Sequence, residues 1–107
     1  MNSSEIVEKM RRRIIKNFMD ILVLMEMRKH PLSGYDVMRL IHNRFDAMVS
    51  PGTIYNMLYS LERDGLIKGV ENQRKRVYSL TEKGEQSIKI MAKANKEIQD
   101  FLRSAFA

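Results

Sequence analysis

Apolar residues recur along the first part of the chain at Ile6, Met10, Ile14, Phe18, Ile21 and Met25, a spacing of threes and fours that predicts one face of a helix. Ser3 or Ser4 is placed to cap it, with Glu5 in the positively polarised first turn. Pro31 disfavours helical geometry at His30, so the helix should end near Lys29. About 25 residues at 1.5 Å each give roughly 37 Å, long enough for the first turns to overhang a small core. From Ile21 onward the helix is apolar nearly all round, and that half should be the most buried.

A second helix opens at Ser33-Gly34-Tyr35-Asp36, where Ser33 can accept from a backbone amide and Asp36 can reach back, a capping box. Val37, Leu40, Ile41 and Phe45 form its inward stripe, and Tyr35 is expected to face mostly inward as well. Ser50-Pro51 then supplies a cap followed by proline at the first helical position. This third helix should run to about Asp64, with Gly65 as its left-handed stop. At 100° per residue, Ile54, Leu58 and Leu61 point one way, with Met57 at their edge. Gly52, Asn56, Tyr59 and Arg63 point the other way, flanked by Thr53, Tyr55 and Ser60.

Ile67–Glu71 and Arg76–Leu80 have strand composition, and the polar Asn72-Gln73-Arg74-Lys75 between them reads as a hairpin tip. Thr81 caps a last helix of about 23 residues, with Glu82 and Glu85 in its first turn. Its stripe includes Ile88, Met91, Ile98, Phe101 and Leu102, and no sequence follows to cover it. The order helix, helix, helix, hairpin, helix predicts a mainly α (α+β) winged helix-turn-helix: three helices, a two-stranded β-wing and a long C-terminal dimerisation helix. Residues 1–81 would form the DNA-binding part with its N-terminal helix, and residues 82–107 the dimerisation helix.

Composition narrows the function. Hydrophobic residues make up 44% and charged residues 30% of the 107, which is ordinary for a single globular domain. The longest apolar run, Ile21-Leu22-Val23-Leu24-Met25, is far short of a membrane span, and the polar start has no export character, so a cytoplasmic protein with no membrane partner is expected. With no cysteine, thiolate metal sites and cysteine nucleophiles drop out. His30 and His42 have no carboxylate or third histidine at ligand spacing, so no metal is expected. No nucleophile, base and orienting group recur together and no glycine-rich loop could cradle a phosphate, so neither an enzyme nor a cofactor is expected.

The net charge of +6 favours an acidic partner, with double-stranded DNA foremost. Cations cluster at Lys9, Arg11, Arg12, Arg13 and Lys16, and again at Arg74-Lys75-Arg76. The Arg11-Arg12-Arg13 run spans about 200° of helix, so a solvated surface is its default reading and contact with flanking DNA the sharper one. The second lies on the hairpin, where it would run along phosphates while the third helix enters the major groove.

Pro31-Leu32-Ser33-Gly34-Tyr35-Asp36, Ser50-Pro51-Gly52-Thr53-Ile54-Tyr55, Leu61-Glu62-Arg63-Asp64-Gly65-Leu66-Ile67 and Arg76-Val77-Tyr78-Ser79-Leu80-Thr81-Glu82-Lys83-Gly84 resemble the PadR family of transcriptional regulators, over roughly residues 17–90. The resemblance implies a homodimer that represses transcription from a short inverted repeat and is released by a small ligand. It also implies membership of the smaller subgroup, with one C-terminal helix that pairs with its partner's. Carried over by position, Ser50, Thr53, Tyr55, Asn56 and Tyr59 fall where the family contacts DNA, and Gln73, Arg74, Lys75 and Arg76 fall on its wing.

The chemistry of the residues agrees in part. Asn56 can donate to and accept from a base edge, and the Thr53 methyl suits a thymine. Hydroxyls of Ser50, Thr53, Ser60 or Tyr59 can bind phosphate, and Arg63, near the helix end, is better placed for a phosphate than a base. Tyr55 has two readings, a DNA contact or packing against the wing. Tyr78 should be a core residue. Dimerisation through Ile88, Met91, Ile98, Phe101 and Leu102 follows from the uncovered stripe. The nine methionines are mostly core fillers, though they would also suit a pocket for a small apolar effector. Some family members stack a tryptophan on such a guest; this chain has none, and Phe101 is the nearest aromatic replacement. A protein that coats DNA without sequence preference, and a winged helix that docks on another protein, are the alternatives.

Overall fold

The computed structural model describes residues 2–107. Helix α1 spans Ser3–Met27 and is capped by Asn2 rather than by Ser3 or Ser4: the Asn2 side chain accepts from the Glu5 amide at 2.9 Å. Its first buried residue is Ile15, so three turns do overhang the core. The side chains it buries are Ile15, Met19, Val23, Leu24 and Met27. The regularly spaced apolar face is a different one, and Ile6, Ile14 and Phe18 on it remain exposed. The helix thus has two apolar faces, one spent on its own core and one open.

Helix α2 (Gly34–Phe45) begins with the full capping box, in which Ser33 Oγ accepts from the Asp36 amide at 3.1 Å and Asp36 Oδ2 from the Ser33 amide at 2.9 Å. The bond from the Ser33 amide is the main cause that holds the Asp36 carboxyl below its ordinary pKa, helped by the Ser33 side chain. Val37 and Ile41 are buried, with Leu40 and Phe45 packed partly beneath them. Tyr35, expected inward, is 62% exposed. It lies two residues before Val37, some 200° around the helix, so the turn that buries Val37 and Ile41 turns it outward.

Helix α3 (Pro51–Arg63) buries Ile54, Leu58 and Leu61 and stops at Gly65, whose φ of +79° is the left-handed stop expected there. Strands β2 (Ile67–Asn72) and β3 (Lys75–Leu80) pair antiparallel from Ile67 opposite Leu80 to Asn72 opposite Lys75. The tip is therefore only Gln73-Arg74, shorter than the four-residue turn expected. Both adopt positive φ, 51° and 68°, as a tight two-residue hairpin requires. A short strand not foreseen, β1 (Leu32–Ser33), pairs with β3 through Leu32 opposite Tyr78 and gives a sheet of order β1-β3-β2. Tyr78 is buried, as expected.

The single long C-terminal helix is in fact two, α4 (Glu82–Lys93) and α5 (Asn95–Ala105), divided at Ala94. The Ala94 amide still bonds the Ile90 carbonyl, and the Ala94 carbonyl accepts from Ile98, so the chain bends without losing its ladder there. Ile88 is 1% exposed and belongs to the same core as Val23, Ile41 and Ile54. Ile88 thus ties α4 into the core. Ile88, expected at a dimer surface, has no side-chain area left to offer a partner. No residue of α5 is buried. No described helix is long and apolar enough to cross a membrane.

Candidate nucleic-acid interface

Burial of Ile54, Leu58 and Leu61 leaves the opposite face of α3 in solvent, carrying Gly52, Tyr55, Asn56, Tyr59 and Arg63. Tyr59 is 68% exposed, and Asn56 has no hydrogen-bond partner among the described residues. Thr53 is half-buried. Ser50 is occupied as the cap: its Oγ accepts from the Thr53 amide at 3.2 Å and lies 2.9 Å from the Thr53 hydroxyl. Arg63 Nη2 donates to Ser60 Oγ at 3.3 Å, which lays the guanidinium back along the helix surface.

Tyr55 packs on α2. A Cβ built on Gly34 would lie 2.7 Å from the Tyr55 ring, so the ring rests on bare backbone at the start of α2. Half of Tyr55 nevertheless remains exposed. Beside it stands Tyr35, with the Arg39 guanidinium 5.9 Å from its ring centre. From the sequence, Tyr35 is expected inward, as a core residue, and Arg39 has no assigned role. The signal available was their phase, since both lie off the Val37–Ile41 stripe.

The wing returns to the same region. Ser33, the cap of α2, pairs with Val77 of β3, and Lys75 beside the hairpin tip is close enough to Asp36 for its charge to help lower that carboxyl's pKa. Gln73, Arg74, Lys75 and Arg76 are all exposed. Arg76 differs from the others in being engaged: its Nη2 lies 2.9 Å from Glu62 Oε2 on α3, and its guanidinium stands 5.7 Å from the centre of the Tyr78 ring. Hydrogen bonding to Glu62 raises the Arg76 pKa further above its ordinary value.

The N-terminal cations divide. Arg11 Nη2 donates to the Phe45 carbonyl at 2.7 Å and pins α1 to the end of α2. Arg12 and Lys16 line a surface hollow of about 230 Å³ with Met48, Val49 and Thr53, at the entrance to α3. Lys9 and Arg13 are exposed on the same helix.

Away from this face, α1 and the C-terminal helices border two apolar hollows. One, of about 500 Å³, is lined by Phe18, Ile21, Met25, Met91, Ala94 and Ile98 among others. The second, of about 370 Å³, includes Met10, Ile14, Leu102 and Phe106. The aromatic ring on the larger hollow is Phe18, and not the expected Phe101, which is 69% exposed and outside its lining. Among the described residues no group of three or more histidine, aspartate or glutamate side chains is placed to hold a metal ion.

A family profile described as "Transcriptional regulator PadR-like family" matches residues 21–90. In structure, the chain is similar to a PadR family transcription regulator from hypervirulent Clostridium difficile, with a TM-score of 0.74 at 23% identity over 84% of this chain and 99% of that one. A PadR family regulator from Eggerthella lenta gives 0.77 at 19% identity, over 96% and 94% respectively. A protein from STIV described as a winged-helix DNA-binding protein gives 0.64 at 27% identity, over 78% and 91%. No curated protein matches the sequence.

Proposed function

The chain belongs to the PadR-like family of transcriptional regulators, DNA-binding proteins rather than enzymes, and we propose that it is a cytoplasmic repressor that reads a pseudo-palindromic operator as a homodimer. The observation that carries this reading is the outer face of α3: polar, exposed, and set beside a wing whose tip is basic. Asn56 and the Thr53 methyl meet base edges. Ser50, Tyr55, Tyr59 and Arg63 meet phosphates around them, with Tyr35 and Arg39 at the start of α2. Gln73, Arg74 and Lys75 lie along the backbone of the adjoining groove, and Arg12 and Lys16 extend the contact beyond the entrance to α3.

Dimerisation is argued from what the monomer leaves wet. Ile14 and Phe18 on α1, Ile98, Phe101 and Leu102 on α5, and Phe106 just after it are all exposed, and the two apolar hollows lie between these helices. So much contiguous apolar surface favours a protein partner, and a second copy supplies the same stripe in a self-complementary two-fold arrangement. Met91 sits at its edge. Two-fold symmetry then sets the reading helices about 34 Å apart, one turn of DNA. The larger hollow, ringed by methionine and phenylalanine, suits a small apolar effector that favours one spacing of the two heads and so releases the operator.

Light scattering together with DNA binding tests the reading. The unaltered protein should have the mass of two chains. Phe101→Asp/Leu102→Asp should yield folded monomers that lose affinity for an inverted repeat. A monomeric wild type that binds the repeat equally well would refute the dimer.

A further inference from the structure

Glu62, half-buried, stands on the last turn of the helix assigned to the major groove, where a carboxylate opposes the approach of DNA. Its surroundings account for it. Oε2 accepts from the Gly69 amide of β2 at 3.0 Å and from Arg76 Nη2 of β3 at 2.9 Å, so one oxygen ties α3 to both strands of the wing. Arg76 sits opposite Glu71 in the ladder, yet its guanidinium crosses diagonally over Gly69 to reach Glu62. Only a residue without a side chain leaves that path open: a Cβ on Gly69 would lie 2.5 Å from Arg76 Nε and 2.8 Å from Cζ.

We propose that Glu62 is a positioning residue for DNA binding, and that Arg76 serves as the strut joining it to the wing rather than as a phosphate ligand. The role rests on the DNA-binding reading above. The free cations at the wing's tip are then Arg74 and Lys75, neither of which has an acidic partner within ion-pair distance among the described residues. With the strut in place, their distance from α3 is set before DNA arrives, and the ordering cost on binding is correspondingly smaller.

The two roles predict effects of opposite sign. Glu62→Gln removes a negative charge from the reading helix, so charge alone would tighten binding. A strut predicts looser binding, by about three- to tenfold. Gly69→Ala changes no charge and displaces only a flexible side chain. It should weaken binding about as much as Glu62→Gln, and the two together should cost little more than either. Freeing a phosphate ligand would instead leave affinity equal or higher.

Salt dependence separates the cations: Arg76→Ala should leave the slope of log affinity against log salt unchanged, while Arg74→Ala should lower it by about 0.9. Hydrogen exchange at the Gly69 amide reads the anchor without DNA, and should accelerate in Glu62→Gln and in Arg76→Ala. A slope lowered by Arg76→Ala, or tighter binding by Glu62→Gln or Gly69→Ala, would overturn the proposal. If the unaltered protein bound no DNA at all, the DNA reading would fall, and the positioning role with it. Accelerated exchange at Gly69 would then show the anchor to be structural only.

Discussion

The ring of Tyr55 lies directly over Gly34, so that even a methyl group on Gly34 would stand 2.7 Å from it. The contact fixes the N-terminal half of α3 against the first turn of α2, and through the Ser33 pairing with Val77 it is linked to the wing. Gly34→Ala should therefore cost about 1–2 kcal/mol through overpacking. Gly34→Ala/Tyr55→Ala should recover part of that loss, because the clash disappears with the ring. Chemical denaturation of the three proteins checks this; equal stability of Gly34→Ala and wild type would show that the ring moves aside freely.

At the wing tip, conformation and charge pull apart. Arg74 holds a φ of 68°, a region that costs a residue with a side chain about 1 kcal/mol or more. Arg74→Gly should raise the thermal midpoint while lowering DNA affinity on every sequence. A variant that loses stability would mean that the Arg74 side chain packs in a way that offsets its backbone strain.

Asn56 and the wing should fail differently. Asn56→Ala should cost about 1–3 kcal/mol on the preferred site and leave binding to random DNA nearly unchanged. Arg74→Ala/Lys75→Ala should weaken both and flatten the salt dependence by nearly one unit per lost phosphate contact. Equal losses on both DNAs for Asn56→Ala would demote it to a backbone contact.

The capping box gives a prediction in pH. Asp36 has a lowered pKa in the folded state, chiefly from the Ser33 amide, so the folded protein favours the carboxylate more than the unfolded chain does. Its contribution is fully present above the ordinary aspartate range and is lost as pH falls through the lowered value. Asp36→Asn should thus cost about 1 kcal/mol near neutrality, and the gap to wild type should close in acid. Denaturation midpoints across the acid range check it; a gap independent of pH would place the cost in packing.

Much of this fold was legible because local chemistry and tertiary structure agree. Ser33 with Asp36, Ser50 with Pro51, and Gly65 each announce a helix end in a few residues, and each end lies where its signal stands. The alternation around Val77 and Tyr78 likewise marks a strand. Other features depend on distant partners. Strand β1 is two residues long and exists because β3 lies beside it, so periodicity has nothing to register. The bend at Ala94 falls in a good helix former and has no local signal. On α1 the most regular apolar spacing belongs to the open face, whereas the core uses Ile15, Met19 and Val23. The polar face of α3 could be read from its phase, but the engagement of Arg76 by Glu62 could not, because the two are fourteen residues apart and on different elements.

The central claim, that this protein reads one operator as a two-fold dimer, is tested most directly by selecting fragments of its source genome with the purified protein at about 150 mM salt, where bare phosphate attraction is weakened. The account predicts enrichment of a short inverted repeat with half-sites about one DNA turn apart. Even recovery of all fragments would contradict it and indicate a protein that coats DNA without regard to sequence.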